Sequence, residues 1–222
     1  MKNLHNALLL KQLYQLKSLG FKYTDIQPFS YKESQTLELP HNLDALKKQA
    51  LNCHLCSLSK SRTHVLFGEG NSQADIMIVG DIPLKMEDEA GKIFLGNGGK
   101  MLTAMIEKVL KSSRERVYIT NLLKCRPFST KELHETPFHT CKAYLFKEIE
   151  IIKPKIVITL GEKSYHYLTN DTTPLEQIRG SIVKMKEYKI IPTYHPNFLL
   201  KNPSLKQEVF LDLKKAKGIV AS

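Results

Sequence analysis

The sequence predicts an α/β fold, a three-layer α/β/α sandwich around a central, mainly parallel, four-stranded sheet. Three observations carry this reading. Short apolar runs rich in Ile and Val alternate along the chain with stretches of helical period. Each run stops at a glycine or a polar residue. The runs are separated by whole helices rather than tight turns, which calls for crossover connections and parallel pairing with helices on both faces.

The elements follow in order. Residues 4–19 place Leu8, Leu9, Leu10, Leu13, Tyr14 and Leu16 on a roughly helical period, and Gly20 ends the stretch. Residues 23–40 lack periodicity and read as an arm. Leu43–Leu51 reads as a short helix leading into Cys53. Residues 1–50 are therefore expected to form an N-terminal helix and arm, and 51–222 the main domain. The first strand is 76–79, ending at Gly80; a helix follows over 99–110. The second strand, 117–120, ends at Asn121, and a long helix over 137–152 stops before Pro154. The third strand, 156–160, ends at Gly161 and leads into a helix over 162–168. The fourth, 190–193, ends at Tyr194-His195-Pro196. A final amphipathic helix is expected over 203–217, its leading proline tolerated where N–H groups are spare. Parallel sheets of this kind bind ligands at the carboxyl ends of their strands, and Asp81, Asn121 and His195 gather there.

Composition narrows the partners. The 222 residues are 42% hydrophobic, enough for a sizeable core. No apolar stretch nears the ~20 residues that span a bilayer, and the apolar patch at residues 7–10 is too short for a signal peptide. A cytoplasmic protein, a monomer with no membrane partner, is expected. Lys and Arg number 33 against 22 Asp and Glu, for a formal net charge of +11. Such a field suits a polyanion such as nucleic acid, each neutralised phosphate releasing a counterion; a lysine-rich solvated surface is the plainer alternative.

The four cysteines form a close pair, Cys53-His-Leu-Cys56, and a wider pair, Cys125 and Cys141. Without signs of export, metal binding ranks above disulfides. Four thiolates suit tetrahedral zinc or a cubane iron–sulfur cluster alike. His54 and His64 lie nearby, but four cysteines already complete a site.

A series of motifs runs through the chain in a fixed order. They are C-H-L-C-x-L from Cys53, F-G-E-G-N from Phe67, G-D-I-P-L-K-M-E-D-E-A-G-K-I-F-L-G-N-G-G from Gly80, Y-I-T-N-L-L-K-C-R-P from Tyr118, the spaced Cys141, K-P-K-I-V-I-T-L-G from Lys153, and P-T-Y-H-P-N-F-L-L-K-N-P from Pro192. In these motifs the chain resembles the family 4 uracil-DNA glycosylases, the iron–sulfur branch of the uracil-DNA glycosylase superfamily. The resemblance implies a 4Fe–4S cluster on Cys53, Cys56, Cys125 and Cys141, and action on DNA containing uracil. It implies that Phe94 stacks on a flipped base, Asn121 reads the uracil edge, His195 contacts a uracil carbonyl, Glu87 excludes thymine's methyl, and Asp81 positions the attacking water. It also points to Gly98, Lys100, Arg179, Asn197 and Phe198 for gripping DNA, with Phe198 or Leu199 as the wedge behind a flipped nucleotide. The plainer readings are Phe94 as core, Asn121 and Asp81 as caps, His195 as structural, Glu87 as a surface acid, and Phe198 and Leu199 as hydrophobic packing.

One motif departs from the family. Where it usually reads G-E-A-P-G, this chain reads G-D-I-P-L. Asp81 keeps the carboxylate on a shorter stem, and Leu84 replaces a glycine, forming a partial wall to the base pocket. Two further readings follow: a glycosylase for another deaminated base, and a non-catalytic iron–sulfur or zinc protein that binds nucleic acid.

Overall fold

The computed structural model describes residues 11, 13–18, 20, 39–128 and 135–221. Lys11 and residues 13–18 are helical, in agreement with the expected first helix; its remainder and the arm up to residue 38 lie outside the described residues. The chain divides into two units, 1–38 and 39–222. The second begins before residue 50 because α1, Leu43–Leu51, packs with it: Leu46 and Ala50 form a small cluster with Phe67 and Tyr144. Asn42 caps α1 by accepting from the Asp44 and Ala45 amides at 2.9 and 3.1 Å.

The sheet has six strands, β1 (Glu69–Gly70), β2 (Ile76–Gly80), β3 (Tyr118–Asn121), β4 (Ile156–Leu160), β5 (Val183–Lys184) and β6 (Lys189–Thr193), in the order β1-β3-β2-β4-β6-β5. The central four are parallel and are the four the sequence predicts. The two-residue edges β1 and β5 pair antiparallel and add to the expected count; a two-residue strand is too short to show a period.

Successive side chains of a strand face opposite sides, and the core divides accordingly. Ile76, Ile78, Ile119, Ile156, Ile158 and Ile191 pack with Leu102 and Ile106 of the helix after α2 and with Val209 and Leu213 of the last helix. Met77, Val79, Tyr118, Val157 and Ile190 pack on the other face with Leu145, Ile149, Tyr165 and Leu168. The helices are α2 (Lys85–Ala90), α3 (Gly96–Met105, continued by a π turn over Ile106–Leu110), α4 (Glu135–Ile152), α5 (Glu162–Thr169), α6 (Leu175–Ile178), α7 (Pro196–Lys201) and α8 (Lys206–Ala221). The expected final helix begins instead with a separate 3₁₀ turn at Pro203–Leu205. Short α2, α6 and α7 add to the helices that the sequence predicts; α2 and α7 carry much of the site.

Ile158 lies at the middle of the central strand with no exposure. Truncation there leaves a cavity that rigid strands on both sides cannot fill. Ile158→Ala is expected to lower the unfolding free energy by about 3 kcal/mol, read from the midpoint of a urea titration at unchanged slope.

Candidate functional site

Parallel register sets Gly80 of β2 opposite Asn121 of β3. Just past the strand ends, the Leu122 amide donates to the Gly80 carbonyl at 2.8 Å and the Leu123 amide to the Asp81 carbonyl at 3.1 Å. This binds the two tips together. A side chain at Gly80 would run into the Asn121 carboxamide oxygen and would lie 2.7 Å from Cζ of Phe94. The missing methyl therefore lets the amide and the aromatic ring meet at one point.

Phe94 sits at φ 51°, in the left-handed region that a bulky residue rarely adopts. A Cβ at Gly99 would collide with the Phe94 carbonyl, so the start of α3 presses against this loop. The Phe94 ring stacks on His195, with centroids 5.8 Å apart and planes 24° from parallel. Asn121 is 2% exposed, and its carboxamide has no hydrogen-bond partner among the described residues. The fully buried side-chain polar atoms without a partner, among the described residues, belong to Arg126, Thr159 and Arg179, so the Asn121 carboxamide keeps some access to solvent and can be reached by a ligand.

Asp81 and His195 complete the group, and burial shifts both. The Asp81 carboxylate accepts from the Ser164 amide at 2.7 Å, at the start of α5. Gly161, at φ 100°, leaves room for it: a Cβ there would lie 2.7 Å from Asp81 Oδ2. Desolvation outweighs the Ser164 bonds and lifts the Asp81 pKa to about 6. His195 caps α7, its Nδ1 accepting from the Asn197 amide at 3.2 Å. That bond leaves the proton on Nε2. Desolvation lowers the His195 pKa to about 4, so the ring is a neutral donor at ordinary pH.

The other candidate residues differ in what surrounds them. Glu87 is buried, with its carboxylate bonded to the Leu84 amide at 2.8 Å and the Leu95 amide at 3.2 Å. It braces the starts of α2 and α3. Leu84 is 41% exposed at the start of α2. Asn197 packs against Gly98, where any side chain would clash with its carboxamide. Lys100 and Phe198 are exposed, Phe198 stacking on Tyr194 at 5.2 Å. Leu199, by contrast, is buried in the core and is not available as a wedge. Arg179 is committed to Asp212 at 2.9 Å and Glu208 at 3.1 Å rather than presented to a phosphate.

The pattern of the Uracil DNA glycosylase superfamily matches residues 67–214, the span that holds every one of these groups. The chain belongs to this superfamily. It is 39% identical over 186 residues to a type-4 uracil-DNA glycosylase of Sulfurisphaera tokodaii, covering 80% of this chain and 84% of that protein. It is 40% identical over 189 residues to the type-4 enzyme of Saccharolobus solfataricus, covering 82% and 88%. The type-4 enzyme of Archaeoglobus fulgidus is 34% identical over 182 residues, covering 78% and 91%.

In this superfamily member the cysteines converge as well. Cys53, Cys56, Cys125 and Cys141 line one pocket with Ala50, Leu58, Val65 and Tyr144. The Arg62 guanidinium donates to Cys125 Sγ at 3.3 Å and the Lys124 amide to Cys141 Sγ at 3.3 Å. Burial pushes the Cys125 thiol up, and the Cys141 thiol up to about 12. Among the described residues no three His, Cys, Asp or Glu side chains close to the spacing of a single bound ion. His54 and His64 bond backbone carbonyls of Asn52 and Asp88 at 2.8 and 2.6 Å.

Sequence reasoning missed Asp88, which sits in a run of acids that reads as surface. Asp88 is 1% exposed, accepts from the Thr63 and His64 amides at 2.9–3.0 Å, and lies 3.5 Å from Arg126. It ties α2 to the cysteine loops. Ser164 was missed too; the place of Gly161 between a strand end and a helix start was the available signal for it.

Carbon-detected NMR of the free protein should give the Asp81 carboxyl a midpoint near 6, well above its ordinary 3.8. The His195 ring signals should stay unshifted from pH 8 down to pH 5 and move only as pH nears 4.

Proposed function

We propose that this protein is a DNA-repair glycosylase that hydrolyses the bond between uracil and deoxyribose in DNA and leaves an abasic site. The observation that carries the reading is the Asn121 carboxamide set against Gly80 beside the Phe94–His195 stack. An amide offers an acceptor and donors side by side, the complement of a uracil N–H and its carbonyl. Cytosine presents the opposite pattern, which the amide would meet only by turning its Oδ1 away from Gly80. The three relatives described above, each called a type-4 uracil-DNA glycosylase, support the same substrate.

The target base lies inside a stacked duplex, so it is flipped out or met in a single strand. Phe94 stacks on the extruded ring. As the glycosidic bond breaks, negative charge grows on the base. The neutral His195, its Nε2–H free because Nδ1 is held by the Asn197 amide, donates to a uracil carbonyl as that charge appears. Asp81 serves the sugar side of the bond. Ionised above about pH 6, it orients the water that attacks the sugar. Ser164 holds the carboxylate in place. Glu87 acts indirectly, keeping the loop on either side of Phe94 fixed. Lys100, Asn197 and Phe198, near the start of α3 and on α7, face the DNA strand, within the basic field of the whole chain.

The donor set fits a 4Fe–4S cluster. Four thiols line one largely apolar pocket, with N–H groups of Arg62 and Lys124 already aimed at two sulfurs. Cys53, Cys56, Cys125 and Cys141 would hold it, and when bound it would cross-link segments distant in sequence, with no electron transfer needed for hydrolysis.

The test is incubation with a uracil-containing oligonucleotide followed by alkaline cleavage of abasic sites. Wild type should cut, and Asn121→Ala or His195→Ala should each cut about 100-fold more slowly. Because kcat/KM reports groups of the free enzyme, it should rise with pH through a midpoint near 6 as Asp81 loses its proton. That limb should vanish in Asp81→Asn. Tight binding without cutting would overturn the proposal.

A further inference from the structure

Beneath the base-reading amide lies a charged pair that the proposed chemistry does not use. Lys124 and Glu148 are 2% and 0% exposed. The Lys124 ammonium donates to Glu148 at 2.5 Å, to the Thr120 hydroxyl at 2.5 Å and to the backbone carbonyl of Asn121 at 2.9 Å. An ammonium has three N–H bonds, and all three are spent. Glu148 also receives the Tyr118 hydroxyl at 2.9 Å and the Thr120 hydroxyl at 3.1 Å. Both β3 residues that precede Asn121 on the helix-facing side and the Asn121 carbonyl itself are therefore anchored to α4.

Burying such a pair gains little stability over apolar side chains of the same size, because desolvation offsets the attraction. Its value lies in direction: hydrogen bonds fix a geometry that apolar packing does not. The same lysine reaches the cysteine cavity. Its amide donates to Cys141 Sγ at 3.3 Å, and its carbonyl accepts from the Leu66 amide at 2.7 Å. Lys124 thus touches the residue that reads the base and a wall of the cysteine cavity at once.

We infer that Lys124, held by Glu148, is a positioning residue that sets the Asn121 carboxamide for base recognition and joins it to the cysteine cavity. The inference rests on the uracil reading proposed above. Its consequence is specific: uncoupling the pair should weaken recognition of the base rather than the grip on DNA.

The test uses two uncleavable oligonucleotides, one carrying 2′-fluoro-2′-deoxyuridine and one carrying a tetrahydrofuran abasic site. The ratio of their affinities isolates the contribution of the base. The double variant Lys124→Met/Glu148→Gln removes both charges together, so neither is left orphaned, and the carboxamide it introduces can still receive the Tyr118 hydroxyl. Circular dichroism and the visible absorbance of the cysteine-bound centre should match wild type, while the affinity ratio should fall about tenfold. Tyr118→Phe, which keeps the pair and loses one bond to Glu148, should lower the ratio less, about two- to threefold. A wild-type preference retained in both variants would overturn this inference alone. A wild-type ratio near one would overturn the uracil reading, and this inference with it.

Discussion

The whole site depends on one close approach, that of the β2 and β3 tips at Gly80. Parallel register sets Gly80 against Asn121, and two backbone bonds past the strand ends lock the tips together. Into the space of the absent side chain come the Asn121 carboxamide and the Phe94 ring. Three further glycines extend the same logic outward. Gly99 admits the Phe94 carbonyl, Gly98 admits Asn197, and Gly161 admits the Asp81 carboxylate. Backbone thus approaches functional side chains closely from several directions, and the site is rigid because there is no slack volume in it.

Burial then assigns the chemical roles. Asp81 and His195 lie just past strand ends on the same edge of the sheet and titrate in opposite directions for the same reason, the loss of water. Each is pushed toward its neutral form, Asp81 up and His195 down. Between about pH 4 and pH 6 both are uncharged. Above that range the acid ionises while the imidazole remains a neutral donor, the pairing that the proposed reaction calls for. The backbone bonds from Ser164 and Asn197 orient the two groups without cancelling the effect of burial.

Much of this was legible in the sequence, and the reasons differ between elements. The four central strands could be read because each is a continuous apolar run ended by a glycine or polar residue. Helices α3, α4 and α5 could be read from period and breakers. The two-residue strands β1 and β5 carry no period, and α2 and α7 are too short to show an apolar face. The convergence of Asp81, Asn121 and His195 followed from topology, since parallel strands deliver their carboxyl ends to one edge. Residue roles at the rim were harder. Glu87 looked free in a run of acids but is spent on two amides; Arg179 looked available but is held by two carboxylates; Leu199 read equally as wedge or as packing, and it packs in the core. Partners far apart in sequence decided the case of Arg179, as they did for Lys124 and Glu148, whereas Glu87 is held by amides three and eight residues away.

In the proposed reaction the Asn121 amide pairs with a pyrimidine edge. The direct measurement is the side-chain amide resonance of Asn121 in ¹⁵N-labelled protein, assigned by its loss in Asn121→Ala, while free uracil is titrated in. The account predicts that this pair of signals moves downfield and saturates with uracil, and that cytosine leaves it in place. An Asn121 amide that stays still while uracil binds, or that answers cytosine equally, would contradict it.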